Sequence, residues 1–117
     1  MLLLFFLVKN RDAVIEILQH HRNVRAVFQG HAHRFDVRTM RVQNGTSGLD
    51  TCQYIITPPI IEYPFAWLML SLTETALTIR FNRLPLPQFH ETDRHNGEGQ
   101  QWRDGLPEWH DFTIVLQ

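Results

Sequence analysis

Two histidines separated by one residue, in Gly30-His31-Ala32-His33, are the residues best suited to chemistry in this 117-residue chain. Imidazole nitrogens are common ligands for zinc, iron and manganese. On an extended backbone alternate side chains point the same way, so His31 and His33 are placed to address one ion or two adjacent ions. Gly30 is expected to let the backbone turn sharply and approach a ligand without a Cβ clash. Spacing alone leaves a plainer reading open, a surface pair that holds no metal. A metal site needs further N, O or S ligands, and a catalytic ion also keeps an open position. Arg34, Arg38 and Arg41 follow. A guanidinium matches phosphate geometry, although each of these, taken singly, reads more simply as part of a solvated strand face.

The elements that must position the pair are legible nearby. Val24-Arg25-Ala26-Val27-Phe28-Gln29 is apolar and β-branched and predicts a buried strand. Before it, Asn10 can cap a helix from about Arg11 to about His21. Asp12 suits the first turn of that helix, and Val14, Ile17, Leu18 and His21 fall on one face. Met1 to Val8 is strongly apolar and predicts a buried strand, so residues 1–29 resemble a βαβ unit. Beyond the histidines the character changes. Strands are expected over Phe35–Val42, Gln53–Thr57, Ala66–Leu72 and Ala76–Phe81, the last two joined as a hairpin by Thr73-Glu74-Thr75. Asn44-Gly45 marks a turn. From Leu84 to Asp111 the chain is polar and rich in Pro and Gly, which predicts an irregular segment pinned by Trp102 and Trp109. Phe112 to Leu116 reads as a short final strand. The fold class expected is α+β, mostly strands with one main helix. Residues 1–83 form the body and 84–117 an irregular tail packed on it.

Composition narrows the function. A hydrophobic content of 44% with 20% charged residues fits one soluble globular domain. The net charge of -1 argues against a nucleic-acid binder that works by bulk electrostatics. The apolar start is far shorter than the roughly 20 residues needed to span a bilayer, and it lacks the flanks of a signal peptide. The lone Cys52 excludes an internal disulfide and reads as a small core residue. Together these point to a cytoplasmic chain with no membrane partner.

A family likeness attaches to these residues. The helix from Asn10-Arg11-Asp12-Ala13-Val14, the strand Val24–Gln29 and Gly30-His31-Ala32-His33-Arg34 resemble the last signature of the calcineurin-like metallophosphoesterases, in which a helix and a strand lead into G-H-x-H. The likeness continues through Tyr54-Ile55-Ile56-Thr57-Pro58-Pro59, Glu62-Tyr63-Pro64-Phe65 and the hairpin. It implies part of a four-layer αββα sandwich. It also implies hydrolysis of phosphomonoesters or phosphodiesters by two divalent or trivalent ions (Mn, Fe or Zn) that clamp the substrate and activate a water. By matching positions His31 would ligate the second metal and His33 the first, and Arg34 is a candidate for binding substrate phosphate. The family's D-x-H, G-D-x-x-D and G-N-H-[DE] motifs have no counterpart here, nor does the further single histidine that precedes G-H-x-H in the family. His20, His21, His90, His95 and His110 match no ligand position. The chain therefore resembles a C-terminal part of such a domain, inactive alone and expected to hold two cations poorly unless a complementing chain or a second copy completes the site. The alternative is a non-catalytic module that binds a partner or itself through an exposed sheet edge.

Overall fold

Alternating apolar side chains on short strands build two facing three-stranded sheets. The computed structural model describes residues 9–41, 51–85 and 99–116. Helix α1 spans Arg11–Gln19, and the strands are β1 (Ala26–Gln29), β2 (Asp36–Arg41), β3 (Thr51–Ile56), β4 (Ala66–Leu72), β5 (Ala76–Arg83) and β6 (Asp111–Val115). The architecture is α+β and mostly strand, as the sequence pattern predicts. The first sheet has the order β1-β3-β2, with β1 parallel and β2 antiparallel to β3. The second is an antiparallel meander, β4-β5-β6.

Register explains the core. Val37 lies opposite Ile55, and Ile79 opposite Phe112, so period-two alternation delivers one apolar face from each sheet. Phe35, Ile55, Ile79 and Ile114 form the buried centre, with Leu68, Leu77, Phe81 and Trp109 packed around it. Each fully buried side chain of this size is worth about 1.5–3 kcal/mol. The outward face of the second sheet is partly polar. Thr78 and Thr113 share a hydrogen bond of 3.2 Å across it, and Arg80 lies 3.6 Å from Asp111. Arg25 ties the sheets at one end, donating from Nε to the Thr51 carbonyl (3.0 Å) and from Nη1 to the Leu116 carbonyl (3.4 Å). Cys52 is fully buried, and that burial pushes its thiol up despite the nearby Arg25 charge.

Several expectations change in detail. The strand before the histidines covers only Ala26–Gln29 and is half-buried to exposed, with Phe28 38% exposed. Among the described residues its single neighbour is β3, and an edge position leaves apolar side chains uncovered whatever their propensity. The helix ends at Gln19, where the His20 amide closes onto the Ile17 carbonyl and the His20 ring bonds the Glu16 carbonyl (2.7 Å). Asn10 sits at the N-cap but makes no side-chain capping bond, and Ile17 is exposed. Strand β5 runs two residues beyond Phe81. The segment expected to be irregular contains two single-turn 3-10 helices, Gln101–Asp104 and Pro107–Trp109. Trp109 meets the Phe35 ring edge-on at 6.3 Å, whereas Trp102 is 60% exposed and pins nothing by burial. The predicted strand at 1–8 and the turn at Asn44-Gly45 lie outside the described residues.

Glycine matters most at Gly105. Its φ is +73°, and a Cβ there would lie 2.9 Å from the Phe35 carbonyl oxygen and 2.9 Å from the Trp109 ring. At Gly30 a Cβ would meet only Thr57 Oγ1, at an ordinary 3.8 Å. Gly105→Ala is expected to destabilise the protein by about 1–3 kcal/mol through strain and overpacking. Gly30→Ala is expected to fall within roughly 0.5 kcal/mol of the parent. Urea unfolding of the two variants side by side checks the contrast.

Candidate functional site

The parallel strand β1 ends where the Gln29 carbonyl accepts two bonds from Thr57, one from the amide (2.7 Å) and one from the hydroxyl (3.1 Å). The chain then leaves the sheet through Gly30 to His33. The sharp turn expected of Gly30 is instead made by the histidines: φ is +78° at His31 and +53° at His33, whereas Gly30 is not in the left-handed region. Non-glycine residues enter that region seldom, histidine less seldom than most, at a cost of about 1–3 kcal/mol each, and such residues concentrate at functional sites. His31 and His33 are both exposed and line one pocket with Glu62, Gln100, Trp102 and Arg103. The structure thus brings the pair together by a turn, not by alternation along an extended strand.

The loop is held from the far end of the sequence. Arg103 Nε donates to the His33 carbonyl at 2.7 Å, Nη1 to Gln100 Oε1 at 2.8 Å, and Nη2 to Glu62 Oε1 at 2.5 Å. The Phe35 amide donates to the Arg103 carbonyl at 2.9 Å. His33 Nδ1 is in direct hydrogen-bond contact with the same Glu62 oxygen. Partial burial pushes the Glu62 carboxyl up, but its bonds to His33 and Arg103 outweigh this and hold it below its ordinary value.

A second polar cluster lies one residue further along each segment of this contact. The Tyr63 hydroxyl donates to Asp104 Oδ2 at 2.6 Å, and Arg83 Nη2 lies 2.9 Å from Asp104 Oδ1. His110 Nε2 bonds the Asp104 carbonyl at 2.8 Å. The Arg83 guanidinium also stands 5.2 Å from the Phe81 ring centre, within cation–π range. Burial works to lower Arg83, but Asp104 holds it above its ordinary value.

The other sequence candidates are placed elsewhere. Arg34 Nη2 lies 3.5 Å from the buried Asp36 carboxylate, and Arg34 does not line the histidine pocket. Arg38 Nε reaches both Asp36 oxygens, at 3.1 and 3.2 Å. Sequence reading missed Glu62 and Arg103 as site residues. Glu62 belongs to the Glu62-Tyr63-Pro64-Phe65 stretch of the family likeness, which signals a connection but no role. Arg103 lies 70 residues from His33 and carries no local signal.

The donor chemistry fits a metal centre only in part. His31 and His33 are suitable imidazoles, but among the described residues no group of three or more His, Cys, Asp or Glu side chains is arranged to hold an ion. Also among the described residues, no helix is long and apolar enough to cross a membrane. No family model, curated protein or solved structure matches this chain.

The phenol of Tyr63 offers a direct check on the second cluster. Burial, reinforced by the bond to Asp104, pushes it from its ordinary 10.0 up to about 12. A raised folded-state value means that the stability it supplies is complete below pH 10.0 and is lost as pH rises through about 12. Tyr63→Phe should cost about 1–2 kcal/mol in urea unfolding at neutral pH. It should also remove the late component of a tyrosinate absorbance titration. Complete ionisation of the wild-type tyrosines near pH 10 would contradict this assignment.

Proposed function

We propose that this chain is the C-terminal part of a calcineurin-like metallophosphoesterase domain. In this reading it contributes His31 and His33 to a metal centre whose remaining ligands come from outside these 117 residues. The observation that carries the reading is the turn itself: two histidines held in left-handed backbone at the carboxyl end of a parallel strand, both exposed to one pocket. Strained backbone that presents two imidazoles to solvent is hard to account for by packing, since neither side chain is buried. The two sheets would be the inner layers of a four-layer sandwich, with α1 part of one outer layer. In a completed centre the ions supply charge stabilisation and an activated water for attack on a phosphomonoester or phosphodiester. The residues of this chain orient the imidazoles and shape one wall of the pocket. Alone, with an incomplete donor set, the chain is expected to be inactive.

Zinc titration calorimetry on the wild-type chain, His31→Ala and His33→Ala tests the ligand assignment, with manganese-dependent hydrolysis of an aryl phosphodiester measured alongside. The expected outcome is measurable zinc binding that falls at least tenfold in each variant, with no turnover. Absence of zinc binding, or binding that survives both substitutions, would overturn the ligand assignment. Turnover by the wild-type chain, lost in both variants, would overturn the inactivity.

A second reading, self-association, is favoured by strand β4. Among the described residues it is an edge strand, and Trp67, Met69, Leu70 and Leu72 are all exposed along it. An apolar edge of this kind is a template for pairing with another strand. Light scattering across a concentration series should show mass rising with concentration, and a Met69→Lys, Leu70→Lys double variant should suppress the rise. A monomer at every concentration would count against it.

A further inference from the structure

We propose that Glu62 and Arg103 are positioning residues for His33: Arg103 holds the Glu62 carboxylate, Glu62 accepts the Nδ1 proton of His33, and the ring is thereby fixed with Nε2 as its ligand nitrogen. The role of Nε2 rests on the function proposed above, whereas the orientation of the ring does not.

The geometry supports each link. A carboxylate is an acceptor only, so the contact between Glu62 Oε1 and His33 Nδ1 requires the proton to sit on Nδ1. In a neutral ring that leaves the lone pair on Nε2, which has no hydrogen-bond partner among the described residues. Glu62 would not keep this place unaided, because its side chain is 44% exposed. Arg103 supplies the constraint, being only 12% exposed and using all three guanidinium nitrogens. One grips the Glu62 oxygen that meets His33, one the His33 carbonyl and one Gln100. It therefore fixes both the backbone and the ring partner of the same histidine. An arginine engaged in this way is poorly placed to anchor a substrate phosphate, which argues for positioning over substrate binding. A carboxylate on the second ring nitrogen of a ligand histidine fixes the tautomer and raises ligand basicity.

The test uses the full chain labelled with nitrogen-15 at histidine, without metal, at mildly alkaline pH. Long-range proton–nitrogen correlation spectra report which nitrogen carries the proton, and the His33→Ala spectrum assigns the signals. Wild-type His33 should show the Nδ1–H form. Glu62→Ala should return it to the Nε2–H form that free imidazole side chains prefer. Glu62→Gln, whose amide oxygen is a weaker, uncharged acceptor, should give a mixture, and Arg103→Lys should weaken the preference. Zinc affinity should fall about 10–100-fold in Glu62→Ala.

A tautomer unchanged in Glu62→Ala overturns the proposal whatever zinc does. If zinc affinity falls while the tautomer stays, Glu62 is itself a ligand and the positioning role is wrong. If the tautomer shifts but the wild-type chain binds no zinc, the positioning role stands and the metal reading of the site fails.

Discussion

The site and the core are joined by one docking event, the closure of Gln100–His110 over the histidine loop and the end of β5. Two adjacent residues do most of this. Arg103 reaches Glu62 and the His33 carbonyl, while Asp104 reaches Tyr63 and Arg83. The signs alternate, so a basic–acidic pair on one segment meets an acidic–phenolic pair on the other. Gly105 then lets the backbone pass against Phe35, where any side chain would collide.

Phe35 makes this closure cooperative with the fold. Its amide holds the Arg103 carbonyl, and its ring lies in the core beside Ile55, Ile79 and Ile114. The ring also lies 5.3 Å from Phe81, with His110 stacked on Phe81 at 4.2 Å. The histidine loop is thus two residues from a fully buried anchor. That proximity explains how exposed residues keep an unfavourable backbone conformation: energy gained in the core offsets strain at the surface. It also implies that core substitutions at Phe35 disturb the loop, so loss of metal binding in such a variant would not identify a ligand.

The electrostatics of the two clusters differ in kind. The Glu62 contact is half-exposed, and its worth as an ion pair is modest, about 0–1 kcal/mol. Its value lies in geometry, since one carboxylate oxygen receives both an imidazole and a guanidinium. The Asp104 cluster is more enclosed, with side chains 26% and 19% exposed at Arg83 and Asp104, and it bonds a nearly buried phenol. There an unpaired partner would be costly, so the cluster acts as a lock and the Glu62 contact as an alignment device.

Local pattern was enough for most of the described strands. Alternation in Asp36–Arg41 and the paired runs around Thr73-Glu74-Thr75 determined strand and hairpin, because a period of two reports sheet directly. It also singled out His31 and His33, whose spacing needs no tertiary knowledge. What local pattern could not decide was how the pair is presented. A left-handed turn at two histidines is uncommon for non-glycine backbone and is sustained by bonds from residues far along the chain. Nor could it find Arg103, or show that Trp109 and not Trp102 reaches the core. Each depends on which distant segments meet, and such meetings are set by the summed packing of both sheets, which no short stretch of sequence encodes. The sequence by itself determined most of the described strands and the histidine pair; the tertiary structure alone decided which strand faces are buried, the turn that exposes the pair and the carboxylate and guanidinium that hold it.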